Sequence, residues 1–212
     1  MLNVIHKSMF AGAAAMALAG LASPALAQMG ESPFDGAYVG ATVGINNFDY
    51  HHVEGQNIED TGVAYEGLAG YRRSMQNGLL AGVEVHISGS SAKDDVAVDI
   101  GGGETFTGAT SLGRSLGFDG IFGKTFGAEQ QFLGFISLGY LNQKVVACCT
   151  VNEIAGNMLN IRSAGDNENG YRIGAGFEAK VYKNLNWRAA VYYSDTGRVD
   201  QTQLMTGVTA GF

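Results

Sequence analysis

Proline is nearly missing from this chain: Pro24 and Pro33 are its only two in 212 residues. Proline removes a ladder hydrogen bond and is kept out of central strands, so a chain this poor in it is open to many strands. Two cysteines, the neighbours Cys148 and Cys149, exclude a disulfide-dense scaffold. Nowhere between residues 28 and 212 is there a run of the ~18 apolar residues that a spanning helix needs. Positive charge is scarce as well, with 13 Lys and Arg against 20 Asp and Glu and a net charge of −7. That balance excludes nucleic acid as a partner, because phosphate binding needs clustered cations. What the chain does have is glycine (32 residues), phenylalanine (11) and tyrosine (9).

The first 27 residues read as a secretory signal. Lys7 supplies the positive start, Met9 to Leu21 is a short apolar run, and Ala25-Leu26-Ala27 is a small-residue cleavage site before Gln28. The division expected is therefore a signal peptide over 1–27 and a single domain over 28–212, of 212 − 27 = 185 residues. Losing Lys7 takes the charge to 12 − 20 = −8.

Past that point the pattern has period two. Ala37 to Ile45 sets Ala37, Val39, Ala41, Val43 and Ile45 against Tyr38, Gly40, Thr42 and Gly44. Val63 to Arg73 and Leu79 to Ser88 repeat it, the latter with Val83, Val85 and Ile87 facing away from Glu84 and His86. Leu112 to Phe126 is less regular: a parity that puts Arg114 inside puts Asp119 outside, which predicts a bulge near Ser115 to Gly117. Phe132 to Val145, Tyr171 to Tyr182, Trp187 to Ser194 and Gln201 to Phe212 complete eight segments. An apolar face opposite a face that holds charges is the lipid-out, lumen-in alternation of a membrane barrel.

Three outward faces repeat an aromatic six residues apart: Tyr65 and Tyr71, Tyr171 and Phe177, Trp187 and Tyr193. At ~3.3 Å per residue and ~40° tilt, six residues climb roughly 15 Å. That suits two aromatic girdles bounding an apolar band about 25 Å tall. Long polar links (about 46–61, 89–109, 146–170 and 195–201) alternate with tight turns (about 74–78, 127–131 and 183–186). This is the long-extracellular, short-periplasmic pattern of outer-membrane barrels. The fold expected is an eight-stranded antiparallel transmembrane β-barrel with both termini in the periplasm, and with Phe212 closing the last strand as an assembly signal.

The segments Phe34 to Asn46, Glu66 to Gly89, Asn169 to Val181, Val191 to Gly197 and Thr206 to Phe212 resemble the small porin-like, opacity-type outer-membrane proteins of Gram-negative bacteria. The glycine-turn-glycine hairpin of the second and third segments is the most specific part. Two departures stand out: Ala210-Gly211 before Phe212, where the family usually has an aromatic and a basic residue, and Asp119 with Ile121 in place of an Arg pair. The resemblance implies an outer-membrane location and eight strands. It also implies roles in tethering and stabilising the envelope and in presenting surface loops. The partners it implies are outer-membrane lipid and lipopolysaccharide, the barrel assembly machinery, and surface ligands met through the loops.

The inward charges are the most interpretable chemistry: Glu66, Arg72, Glu84, His86, Arg172, Glu178, Lys180 and Arg188. An eight-stranded barrel is just wide enough for side chains to fill, and buried charges must pair. A lumen closed by ion pairs is expected, with pairing between neighbouring strands. A narrow water path through them, and so a low-conductance porin for small solutes, is the alternative. Gly120 to Thr125 has the tail of a phosphate loop, but Phe118 stands where the motif needs glycine. His51 and His52 beside Asp49, Glu54, Glu59 and Asp60 read as a solvated acidic loop rather than a metal site. Lys93, Asp94, Asp95, Asp99 and Glu104 make the next loop acidic too, with Gly101-Gly102-Gly103 at its tip. For Cys148 and Cys149, a loop clip, a free thiol pair and intermolecular links all stay open. No cofactor or metal is expected. An enzyme of the lipid A-modifying kind would have to start from His86 and Ser88 with Glu84 as the acid. The function expected is a non-enzymatic structural and surface-interaction barrel.

Overall fold

The computed structural model describes residues 32–51, 57–91, 93–101, 104–154, 157–197 and 199–212. The predicted signal segment, His52, Glu54 and the Gly102-Gly103 tip lie outside these residues. Among the described residues nine strands are formed: β1 (Gly36–His51), β2 (Asn57–Ser74), β3 (Leu79–Ser90), β4 (Lys93–Gly101), β5 (Glu104–Phe126), β6 (Phe132–Ile154), β7 (Asn157–Tyr182), β8 (Leu185–Asp195) and β9 (Val199–Gly211). Eight of them close a ring. Each neighbour pairs antiparallel from β1 through β2, β3, β5, β6, β7, β8 and β9, and β9 pairs back onto β1.

β4 stands outside the ring. It pairs with β5 from Lys93↔Ser111 to Gly101↔Glu104, above the point where Ser88↔Ser115 starts the β3 ladder. The seam runs from Tyr38↔Gly211 to Tyr50↔Val199, and the Phe212 amide extends it by donating to the Ala37 carbonyl at 2.9 Å. The tight turns need left-handed backbone at Asn77 (φ 65°) and Gly78 (φ 72°), which Asn and Gly adopt readily.

The long polar links are shorter than the sequence suggests. β1 and β2 continue their ladder to His51↔Asn57, and β6 and β7 continue theirs to Ile154↔Asn157. The 89–109 link holds β4 and the start of β5. Backbone pairing is indifferent to polarity, so the ladders run past the apolar band into segments that hydropathy alone marks as loops. Cys148 and Cys149 therefore sit in strand β6, and His51, Glu59 and Asp60 sit in β1 and β2.

The predicted bulge exists but lies earlier. The ladder between β5 and β6 shifts between Leu112 and Ser115, with Gly113 and Arg114 in the irregularity. Parity is unbroken from Ser115 onward, which corrects the sequence reading: Asp119 is buried inside and Arg114 is exposed outside.

The molecule is inside-out relative to a soluble protein. Val83, Ile136 and Leu138 are 61–64 % exposed, while Arg72 and Arg188 are 1 % and Glu178 0 %. Such an exterior is stable only against hydrocarbon. Near the turns, Phe34, Leu80, Ile121 and Leu133 fill the lumen, and toward the far end Phe48, Val145 and Val199 pack together.

Candidate functional site

The site is the barrel interior, built where period-two alternation turns a polar side chain inward on strand after strand. Arg188 of β8 is its hub. Its guanidinium takes Glu84 of β3 in a forked pair, Nη1 to Oε2 at 2.6 Å and Nη2 to Oε1 at 3.0 Å. It also donates to Glu178 Oε1 at 3.3 Å and to Tyr192 Oη at 2.7 Å. Arg72 of β2 donates to the same Glu178 oxygen at 3.0 Å, and Thr209 donates to the other at 3.2 Å. Tyr38 Oη donates to Glu84 Oε2 at 2.7 Å, and its ring lies 3.6 Å beneath the Arg72 guanidinium. Charge-assisted forks of this kind are the strong class of hydrogen bond.

A second tier is held more loosely. Arg172 Nη1 pairs with Glu66 Oε2 at 2.7 Å, a close buried ion pair. Asp119 Oδ2 is 3.9 Å from Arg172 Nε and 3.6 Å from His86 Nδ1. The Arg172 guanidinium stacks 3.6 Å over the Tyr192 ring, which thereby links the two tiers. Next come the polar side chains of Ser88, Ser90, Gln143, Gln201 and Gln203, which close in on one another beyond this tier.

Seven of the eight residues anticipated for the lumen are buried and come together in these tiers. Lys180 does not. It shares the inward parity of Glu178 but is solvent-exposed at the turn end of β7, where the ladder with β8 becomes irregular. The pairing also differs from the neighbouring-strand expectation. Glu178↔Arg188 are cross-strand partners, but Arg188–Glu84, Arg72–Glu178 and Arg172–Glu66 all join strands that are not neighbours in the ring. In so narrow a barrel a long side chain reaches the facing wall as readily as the next strand.

Sequence reasoning missed Asp119 because Arg114 anchored the wrong parity. It placed Tyr38 and Tyr192 on inward faces without giving them a role, and only their hydroxyl partners reveal one. Replacing Tyr38 with phenylalanine keeps the ring under Arg72 and deletes the bond to Glu84. The expected loss is about 1.5–3 kcal/mol, the size of a hydrogen bond to a charged group. A denaturation midpoint unchanged in Y38F would mean that Arg188 alone satisfies Glu84.

On the outer surface, Phe126, Phe132, Phe177 and Trp187 form a ring-to-ring cluster at the turn end, with centroids 5.6–6.3 Å apart. Tyr171 and Tyr193 meet at 6.4 Å toward the other end. Tyr65 and Tyr71 are exposed on β2, with Tyr71 nearer the turn.

Similar solved structures include the Yersinia pestis attachment invasion locus protein Ail in complex with the heparin analogue sucrose octasulfate. It is 14 % identical, with 82 % of this chain and 98 % of that one covered and a TM-score of 0.45. Neisserial surface protein A is 17 % identical, with 84 % and 98 % covered and a TM-score of 0.47. The N-terminal β-barrel domain of Pseudomonas aeruginosa OprF is 15 % identical, with 81 % and 97 % covered and a TM-score of 0.41. None of the curated proteins matches. Residues 13–212 match the outer membrane protein beta-barrel domain family. That match spans nearly the whole chain and agrees with a closed ring of eight strands whose charges face inward, so the chain belongs to this family of outer-membrane barrels.

Proposed function

We propose that this protein is a closed structural barrel whose work is done on its outer surface and loops rather than through its lumen. One observation carries the reading: Arg188 bridges Glu84 on another wall and Glu178 on its own, with all three side chains buried. Apolar packing on both sides of the ionic tiers, Phe34 with Leu80 and Leu133 at one end and Phe48 with Val145 and Val199 at the other, supports it. The tight turns and both termini face the periplasm, and the extended ladders face outward. Phe212, paired beyond β9, serves as the assembly signal read by the barrel assembly machinery. The outer aromatics serve as girdles, and outer-membrane lipid, lipopolysaccharide and surface ligands are the partners.

A low-conductance porin is the second reading, favoured by the 3.6–3.9 Å contacts of Asp119 with His86 and Arg172, which are looser than the fork around Arg188. A lipid A-modifying enzyme is the least supported. His86 and Ser88 are buried in the lumen, and the acid beside His86 is Asp119, while Glu84 belongs to Arg188 and Tyr38.

Single-channel recording of the protein in planar bilayers tests the closed reading. Folding is first verified by a heat-dependent gel shift. The expected record is silent. Steady openings that change in R188Q or E66Q would replace the closed barrel with the porin.

A further inference from the structure

The β5 bulge places two cations on the outside of the barrel. Between Leu112↔Val145 and Ser115↔Gln143, Gly113 and Arg114 of β5 stand opposite the single Lys144 of β6. Ser115 and Gln143 are buried in the lumen, whereas Arg114 and Lys144 are exposed. A Cβ on Gly113 would lie 3.0 Å from the Lys144 carbonyl oxygen and 3.2 Å from its Cβ, so only a glycine lets the bulge pass this close to Lys144. Like charges opposite one another on neighbouring strands are destabilising. Among the described residues no acid forms an ion pair with either. A bulge re-aims side chains, and this one sets a cation beside a cation in a chain with an acidic balance.

Their depth is marked by aromatics. Phe118 is four residues from Arg114 and Tyr140 is four from Lys144, and the two rings meet at 5.9 Å. Four residues climb roughly 10 Å at ~3.3 Å each and ~40° tilt, which takes the cations from the girdle to headgroup level. The surface turns polar along the way. Tyr140 Oη and Asn142 Nδ2 each donate to Asn169 Oδ1 at 2.7 Å, and Asn167 is exposed opposite Lys144.

We propose that Arg114 and Lys144 bind a phosphate group of a glycolipid in the extracellular leaflet. A phosphate between them converts the repulsion into two charge-assisted contacts, a guanidinium fork and an ammonium point charge. The exposed amides of Asn167 and Asn169, with the half-buried Asn142 beside them, suit the hydroxyls of a sugar headgroup, which a simple phospholipid lacks. The assignment rests on the orientation proposed above, with the turns in the periplasm, and is independent of whether the lumen conducts.

The test is native mass spectrometry of the protein purified from outer membranes in detergent. The probes are bis-phosphorylated lipid A, dephosphorylated lipid A and phosphatidylglycerol. R114Q/K144Q is compared with R73Q/K124Q, which removes two exposed cations at the turn end. R114Q/K144Q is expected to weaken lipid A binding about 10- to 30-fold and R73Q/K124Q by less than about twofold. Should the double variant fail the heat-dependent gel shift, K144Q alone is expected to lose about fivefold. Unchanged binding in the folded variant would overturn the proposal. So would equal wild-type binding of dephosphorylated lipid A, or tighter binding of phosphatidylglycerol than of lipid A.

Discussion

Replacing Arg188 with glutamine is expected to destabilise the barrel by about 3–5 kcal/mol, the cost of leaving buried charges without their partner. Arg188 supplies both hydrogen bonds of the fork on Glu84 and one of those on Glu178. Without it Glu84 keeps only the Tyr38 hydroxyl, while Glu178 keeps Arg72 and Thr209. The measurement is urea unfolding in lipid vesicles, followed by the single tryptophan, Trp187, which lies on the lipid face of the same strand. The E84Q/R188Q double variant is expected to recover most of the loss, because it removes both members of the pair and strands no charge. The size of the effect also discriminates between the two lumen readings. A loss in R188Q below about 1 kcal/mol is what a solvated ion pair yields, and it would mean that water reaches the network and that the lumen is open.

Gly44→Val is expected to break the closing seam, with a loss beyond the ~3 kcal/mol typical of overpacking. A Cβ on Gly44 would overlap the Leu204 carbonyl oxygen and come within 2.8 Å of Met205 Cα. Both obstacles are backbone in β9, so no side-chain rotation relieves them and the β1 and β9 ladders must part. Since β1↔β9 is the pairing that closes the ring, the expected readout is loss of the heat-dependent gel shift. Gly67→Val is the control. A Cβ there meets only Ile87 Cγ2 at 3.6 Å, and Gly67 lies away from the lumen, so the variant is expected to fold. Equal folding of the two variants would refute the steric account of Gly44.

Much of this architecture was legible in the chain. Along β7, Tyr171, Ile173, Ala175 and Phe177 alternate with Arg172, Gly174, Gly176 and Glu178, and the structure faces them as the alternation demands. The Asn77-Gly78 turn was legible for a local reason too, since both residues adopt left-handed backbone. β5 was misread because parity counting has no internal reference once a bulge is allowed. Starting from Arg114 inside put Asp119 outside, and the ladder to β6 reverses both. β4 escaped notice because its strand character depends on pairing with β5 above the apolar band, where no hydrophobic face announces it.

The sequence by itself determined the eight-strand alternation, the apolar exterior and which charged residues turn inward, apart from Asp119, which joins the lumen set, and Lys180, which leaves it. Those follow from a two-residue period that each strand carries locally. Only the tertiary structure decided which charge meets which, because Arg188 with Glu84, Arg72 with Glu178 and Arg172 with Glu66 are joined across the ring rather than along a strand. It alone placed Arg114 against Lys144, because a bulge is defined by two strands in register and neither strand specifies it alone.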